Sequence, residues 1–362
     1  MSLRVGVVGC GKIADGHVEE IGKMPEVARV VGVCDIEPIM AEQIAMRYRL
    51  EYFTDDYEKL LGECRPDVVH ITTPPASHLA LATRALEAGA HVFVEKPLTL
   101  SHADSQKLVS CAEKAKRVLS IGYTYLFDPP ALEMRELLQR GALGDVVHVE
   151  TFFGYNLAGP FGAAILSDPA HWVHRLPGQL FHNNIDHLLN KAVEFVEEDA
   201  PKITALGQVR RSSRFGDARD RMLDELRLMV HGARTTVYGT FSSHIRPTSH
   251  YARVFGTRNT AHVDYIARTV TLETAAKLPS AIGRLVPPFE MAAQFANAGM
   301  RNATKFAKSE FHFFSGLNHL FRAFYGSILE GSPPPISYRD ILRISAWMDD
   351  IFHQLDTQRG LP

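Results

Sequence analysis

The residues best able to do chemistry in this chain stand where short apolar runs end. Directly after Leu3–Val8 comes Gly9-Cys10-Gly11-Lys12-Ile13-Ala14, a GxGxxA pattern. Small residues at those three places permit a tight turn, a close backbone approach to a pyrophosphate and close contact of a helix with a sheet. A helix opening there aims unpaired N–H groups and its positive dipole end at phosphate. Asp35 closes the second apolar run. A carboxylate in that place accepts hydrogen bonds from both ribose hydroxyls and repels a 2′-phosphate, so the pattern favours NAD, with NADP as the alternative. Gly9, Gly11, Lys12, Ile13 and Asp35 are the candidate holders of the dinucleotide. Arg47 and Arg49 stand too far along the next helix to argue a 2′-phosphate clamp.

Two further strand ends carry chemistry, since ligands of open α/β sheets bind at the carboxyl ends of strands. One reads Thr72-Thr73-Pro74-Pro75, with Ser77-His78 opening the next helix; the prolines stop strand pairing and hold backbone groups over the cofactor. The other reads Glu95-Lys96-Pro97. A lysine beside a nicotinamide polarises a hydroxyl, anchors the ribose or shuttles a proton. Thr72, Thr73, Pro74, His78, Glu95 and Lys96 therefore join the cofactor candidates, together with Tyr123, which serves equally well as packing.

A third group lies in Pro177–Asn190, read as part of a helix at about 179–196. His182 and Asp186 stand four apart, on one helix face, and can form an acid/base pair. His187 is about 140° around from His182, so both reach one pocket only if the helix begins irregularly or presents its end. The apolar stripe of Phe181, Ile185, Leu188, Ala192 and Val196 marks the core side, leaving His182 at its border and His187 on the far face. His171, His174, His182 and His187 are close in sequence, but no carboxylate pattern accompanies them, and no metal is expected.

The elements that must position these groups follow from periodicity. Leu3–Val8, Arg29–Cys34, Asp67–Ile71, His91–Val94 and Val118–Ile121 alternate with helical stretches at about 12–23, 38–48, 77–88 and 101–115. That alternation predicts a doubly wound parallel α/β sheet. A helix from Asp128-Pro129-Pro130 to Arg140 leads to a run of longer strands, Val146–Tyr155, Lys202–Arg210, Met222–His231, Arg234–His244 and Tyr251–Phe255, which predicts a large, open, mostly antiparallel sheet in an α+β domain. Residues 279–315, with a helix near 290–308, read as a lid, an oligomer arm or a surface excursion packed on its own domain. Helices near 316–330 and 338–356 close the chain.

The bulk properties agree with two domains and a small ligand. A chain of 362 residues, 46% hydrophobic and 22% charged, is long enough for two cores, and a net charge of -2 gives no reason to expect nucleic acid or an acidic membrane. Four cysteines without a CxxC pair read as reduced thiols; no leader or spanning run is evident, so the expected compartment is the cytoplasm.

The pattern at 9–14, the runs Val68–His78 and Ala85–Pro97, and Gly122-Tyr123 with Leu126–Pro129 together resemble the Gfo/Idh/MocA oxidoreductases across about residues 1–150. Weaker cues continue the resemblance: Trp172, Val254–Asp264 and Pro333–Ser337. It implies a Rossmann domain at about 1–122 and an α/β substrate and oligomerisation domain at about 123–362, whose final helices can pack back on the first. It also implies a homodimer or homotetramer, and hydride exchange between NAD(P) and a sugar, cyclitol or related polyol. Lys96 takes the place of the family's EKP lysine, which touches cofactor and substrate. The family's catalytic helix reads Asp-x-Gly-x-His. Counted from Gly178, the acid place holds His182 and the histidine place holds Asp186; counted back from the later H-x-x-D-like pattern, His187 is the family histidine and Asn190 stands at the acid place. That rearrangement keeps two alternatives open: a non-catalytic cofactor or sugar sensor, and NAD-recycling elimination or hydrolysis of a glycoside.

Overall fold

The computed structural model describes residues 2–168, 170–210, 222–274, 279–312 and 314–360. It contains two compact units, Met1–Thr124 with Gly316–Ser345, and Tyr125–Ser315 with Ala346–Pro362. Residue 313, inside the expected lid or arm, lies outside the described residues.

In the first unit, six short runs form a parallel sheet: β1 (Leu3–Val8), β2 (Ala28–Cys34), β3 (Phe53–Thr54), β4 (Val68–Ile71), β5 (His91–Val94) and β6 (Leu119–Ile121). Their order is β3-β2-β1-β4-β5-β6, which reverses direction between β1 and β4 and opens the binding crevice there. Val5, Val7, Val68, Val69, Ile71 and Val92 are fully buried, as expected for strands covered on both faces. The crossovers are α1 (Lys12–Gly22), α2 (Pro38–Tyr48), the single turn α3 (Tyr57–Lys59), α4 (His78–Glu87) and α5 (His102–Ala115). Ser101 caps α5, its Oγ accepting from Asp104 N at 3.2 Å. The late segment contributes Phe321 and Phe324, whose rings stand 5.0 and 5.7 Å from that of Phe93 on β5, and Tyr338, whose hydroxyl accepts from Leu119 N at 3.0 Å.

The second unit opens with α6 (Pro129–Gln139) and β7 (Val146–Asn156), followed by α7 (Pro160–Ser167), α8 (Gln179–His182) and α9 (Asp186–Ala192). Then come β8 (Lys202–Gln208), β9 (Glu225–His231), β10 (Thr236–Ser242), β11 (His244–Gly256), β12 (Asn259–Asp264) and β13 (Thr269–Thr274). The sheet order is β13-β12-β11-β7-β10-β9-β8, antiparallel throughout except for β7 with β10. β11 is far longer than the expected Tyr251–Phe255, and β12 and β13 extend the sheet beyond what the sequence reading foresaw. The expected helix at 179–196 is instead two pieces. Asn184 Nδ2 donates to Leu180 O at 2.6 Å, taking the carbonyl that the Asn184 backbone would claim in a continuous helix.

Residues 279–308 form α10 (Ser280–Leu285) and α11 (Pro287–Ala307), and α11 lies on β13. Gln294 of α11 accepts from Leu272 N at 2.7 Å and donates to Leu272 O at 3.0 Å. The chain closes with α12 (Ser315–Glu330) and α13 (Tyr338–Gln358), the latter divided between the units after Ser345. Among the described residues, no helix is long and apolar enough to cross a membrane.

The aromatic contact between α12 and β5 makes the late segment part of the first unit's core. Phe321→Ala is expected to cost about 3–5 kcal/mol in urea unfolding; a loss below about 1 kcal/mol would show that α12 is not integral to that core.

Candidate functional site

The turn after β1 is shaped before any ligand arrives. Gly9 has φ +93°, and a Cβ there would stand 2.7 Å from Thr73 N, so both conformation and space demand glycine. Thr72 Oγ1 lies 2.9 Å from Val8 O and 2.5 Å from Gly9 O, donating across the crevice between β4 and β1. The Asp35 carboxylate accepts from Cys10 N at 2.6 Å and Glu37 N at 2.9 Å, tying the tip of β2 to the same turn. No atom lies within 4 Å of where a Cβ on Gly11 would stand, and α1 begins at Lys12 with no side-chain cap. Open space over an uncapped helix N-terminus fits a pyrophosphate, and Asp35 beside it fits a ribose. The Cys10 thiol is pushed up to about 12 by burial and by Asp35, which removes it as a nucleophile.

The first-unit candidates are therefore brought together, but in two different roles. Lys12 and Pro74 are exposed and Ile13, Thr73 and Lys96 partly so, whereas Tyr123 and His78 are buried. His78 Nε2 lies 2.8 Å from Thr73 O, and its Nδ1 lies 2.9 Å from Pro97 O. This imidazole clamps the ends of β4 and β5 to each other rather than facing a ligand.

Glu95 is the best supported of these side chains. Its Oε2 accepts from Lys96 N at 3.2 Å, and its Oε1 accepts from His17 Nε2 at 2.9 Å. A Cβ on Gly122 would fall 2.8 Å from Oε1, so glycine there makes room for the carboxylate. Burial opposes the charge, but the His17 hydrogen bond and the charges of His17 and Lys96 outweigh it and hold Glu95 below the ordinary carboxylate range. Behind it, His17 Nδ1 lies 3.0 Å from His70 Nδ1, and His70 Nε2 lies 2.9 Å from the Tyr325 hydroxyl of α12. Burial drives the His70 imidazole far below its usual range and the Tyr325 phenol far above its own, so the first is neutral and the second protonated. Where both rings are neutral, one proton arrangement satisfies every contact. Tyr325 donates to His70 Nε2, His70 Nδ1–H donates to His17 Nδ1, and His17 Nε2–H donates to Glu95. Sequence reading missed His17, His70 and Tyr325. The available signal was a histidine inside the otherwise apolar strand Val68–Ile71.

In the second unit the break before α9 separates the candidate histidines. His182 is 2% exposed and its ring stacks on Phe352 of α13, with centroids 5.1 Å apart. Asp186 is fully buried. His187 keeps 13% of its side chain exposed, with its ring edge-on to Tyr125 at 4.9 Å and to Phe153 of β7 at 5.0 Å. Its Nδ1 stands 3.8 Å from Asp186 Oδ1. His250 of β11 packs 4.2 Å from Tyr125 and 4.7 Å from Tyr265, and burial, then the charges of Lys191 and His187, hold it well below its usual range. Lys191, unnoticed in the sequence, lies buried between Tyr125 and Tyr265, its Nζ 5.3 and 4.8 Å from their ring centres, and donates to the His187 carbonyl. Burial lowers its ammonium to about 7, against the pull of Asp186, Asp128 and Glu194. The side-chain amide of buried Asn190 has no hydrogen-bond partner among the described residues. Nor do those residues contain a group of three or more His, Cys, Asp or Glu able to hold a metal.

The family model described as an oxidoreductase family with an NAD-binding Rossmann fold matches residues 3–123. Inositol 2-dehydrogenase 1 of Saccharopolyspora erythraea is 36% identical over 151 residues, 41% of this chain and 45% of that protein. The match thus spans less than half the length of that relative, and 63% of the inositol 2-dehydrogenase of Rhizobium meliloti, which is 29% identical over 220 residues. Among solved structures, WlbA dehydrogenase from Bordetella pertussis, in complex with NADH and UDP-GlcNAcA, aligns over 99% of this chain and 96% of its own at 16% identity and a TM-score of 0.79. Levoglucosan dehydrogenase, in complex with NADH and levoglucosan, aligns over 99% and 98% at 17% identity and a TM-score of 0.80. At such identity the structural likeness establishes the fold.

Two measurements test the buried chemistry. For Lys191, the folded state gives up its proton at about 7 while the unfolded chain keeps it up to about 10.5, so unfolding binds protons in that window and stability rises with pH across it. Urea unfolding should show that rise, at a slope of at most about 1.4 kcal/mol per pH unit, and Lys191→Met should flatten it; parallel curves would contradict the assignment. For the imidazole chain, ¹⁵N spectra in alkaline solution should show His17 protonated at Nε2 and His70 at Nδ1. Tyr325→Phe should cost about 1–3 kcal/mol by orphaning a buried acceptor. The opposite tautomers would reverse the donor order.

Proposed function

We propose, from the match of residues 3–123 to the model of an oxidoreductase family with an NAD-binding Rossmann fold, that the chain is an NAD-dependent dehydrogenase or reductase acting on a hydroxyl-bearing carbon of a sugar, cyclitol or related polyol. The observation that carries this reading is the preshaped cradle: an open, uncapped helix start at Gly11 with Asp35 bonded to the same turn. Asp35 favours NAD over NADP, and Arg47, the nearest cation on α2 to be considered for a 2′-phosphate, is bound to Asp15. The substrate class is drawn from inositol 2-dehydrogenase among the relatives and from the UDP-sugar and levoglucosan held by the structural neighbours. Partly exposed Tyr125 and the unpartnered Asn190 amide are neutral groups of the kind that bond hydroxyls.

When bound, the nicotinamide supplies a hydride acceptor or donor at C4. Gly9, Gly11, Lys12 and Ile13 would hold the diphosphate and Asp35 the ribose, with Thr72, Thr73 and Pro74 forming the adjoining wall. Lys96, with its backbone fixed by Glu95, is assigned the contact with the reacting hydroxyl. In the second unit His187 is assigned the acid/base role in preference to His182 and Asp186, because those two are enclosed. In oxidation the hydroxyl proton passes to such a base while the carbon loses hydride. Free thiols at Cys10, Cys34, Cys64 and Cys111 suit a reducing compartment, and the cytoplasm is the proposed location.

The test is a panel of sugars and cyclitols with NAD(H), followed at the reduced-nicotinamide absorbance band. Lys96→Met and His187→Asn should each lower kcat by about 10²–10⁴-fold with NADH binding retained. Unchanged turnover in either variant would remove that residue from the mechanism, and NADH binding without hydride transfer to any polyol would remove the enzymatic reading.

A further inference from the structure

Lysines are almost never fully enclosed, and among the described residues Lys191 is the one that is, at 3% exposure. It stands one turn beyond His187 on α9, so the two side chains leave the helix on one face. Its stem cannot carry the ammonium out to water, and the surroundings replace water in two ways. The faces of Tyr125 and Tyr265 lie 5.3 and 4.8 Å from Nζ, close enough for a cation–π contact with each. The remaining bond goes to the His187 carbonyl, so the lysine grips the backbone of the residue assigned as acid/base.

The groups around this pair come from several elements. Tyr125 precedes α6 and Tyr265 follows β12, and burial pushes both phenols up and keeps them protonated. His250 of β11 has its ring centre 6.1 Å from that of His187 and is held neutral, while Phe153 of β7 brings no charge. Asp186, Asp128 and Glu194 attract the ammonium. Glu194 is also bonded by Arg135 Nε of α6 at 2.8 Å, and Arg268 offsets the acids at Tyr125. Asp186 serves both members of the pair, since its Oδ1 stands 3.8 Å from His187 Nδ1. Burial lowers the Lys191 ammonium to about 7, so its charge changes in the range where imidazoles titrate.

We propose that Lys191 is a positioning residue for His187: from inside the tyrosine box it holds the carbonyl of that residue, and by its charge it governs how readily the imidazole takes up a proton. A cation one turn away disfavours a second positive charge on the same helix face. A buried carboxylate beside the ring acts the other way, so Asp186 alone would load His187 with a proton, and Lys191 offsets it. The two basic groups then titrate as a coupled pair. In oxidation the hydroxyl proton has to arrive on a neutral imidazole, and a charged Lys191 keeps the ring in that form. The catalytic consequence rests on the dehydrogenase reading; the coupling between the two side chains does not.

The experiment follows the His187 ring by ¹H–¹³C NMR in the histidine-labelled full chain, with His187→Asn giving the assignment. In Lys191→Met the midpoint of the His187 titration is expected to rise by about half a pH unit or more. Lys191→Gln, which keeps an N–H for the carbonyl but no charge, is expected to follow it and serves alone if the methionine variant does not fold. Lys191→Arg keeps the charge and should stay with the wild type. Where a sugar or cyclitol is turned over, the acid limb of the kcat profile should move with the NMR midpoint in both neutral variants. A side chain that only fills space would lower kcat without moving that limb. A midpoint equal in the wild type and the neutral variants, or a rise shared by Lys191→Arg, would overturn the proposal. A chain that oxidises no polyol yet shows the rise in the neutral variants alone would refute the dehydrogenase reading and uphold the coupling.

Discussion

A carboxylate at the end of a buried strand must find donors or lose its charge, and this requirement organises the first unit. Asp35 and Glu95 end or follow β2 and β5, and both take their donors from segments that a dinucleotide needs held still. Asp35 draws on Cys10 N in the phosphate turn, and Glu95 draws on Lys96 N and His17. The bonds that satisfy the two carboxylates therefore also fix the turn and the lysine-bearing strand end. Electrostatic preorganisation of this kind lets a site meet its ligand with little rearrangement.

The same requirement explains why residues 316–345 belong with the N-terminal segment. His17 can donate to Glu95 with both rings neutral only if His70 donates to it, and His70 in turn needs a donor at Nε2. Tyr325 supplies that donor from a helix more than two hundred residues away in sequence, packed against β5 by Phe321 and Phe324. In the second unit a different solution appears. Lys191 is enclosed between two tyrosine rings and gives up its charge readily, while its hydrogen bond steadies the backbone of the more exposed His187.

Much of this was legible from local physics. The glycine turn, Asp35 and the strand ends at Thr72 and Glu95 show in the sequence because each is dictated by neighbours a few residues away, and the alternation of strands and helices carried the parallel sheet with it. The two pieces of the helix after Gly178 were not legible, because a single side-chain bond from Asn184 to Leu180 decides the break against favourable helical periodicity. β12 and β13 were missed because Asn259–Asp264 and Thr269–Thr274 are short and mix threonine and histidine with few apolar residues; their pairing with β11 supplies the order. His17, His70, Lys191 and Tyr325 gain their meaning only from contacts distant in sequence.

The most direct test of the account is calorimetric titration of NADH into the folded chain and into Asp35→Ala. The account predicts one site per chain with a micromolar Kd, weakened at least about tenfold in the variant, a loss of roughly 1.4 kcal/mol or more. Heat of binding absent from the wild type, or equal affinity in the two proteins, would contradict it.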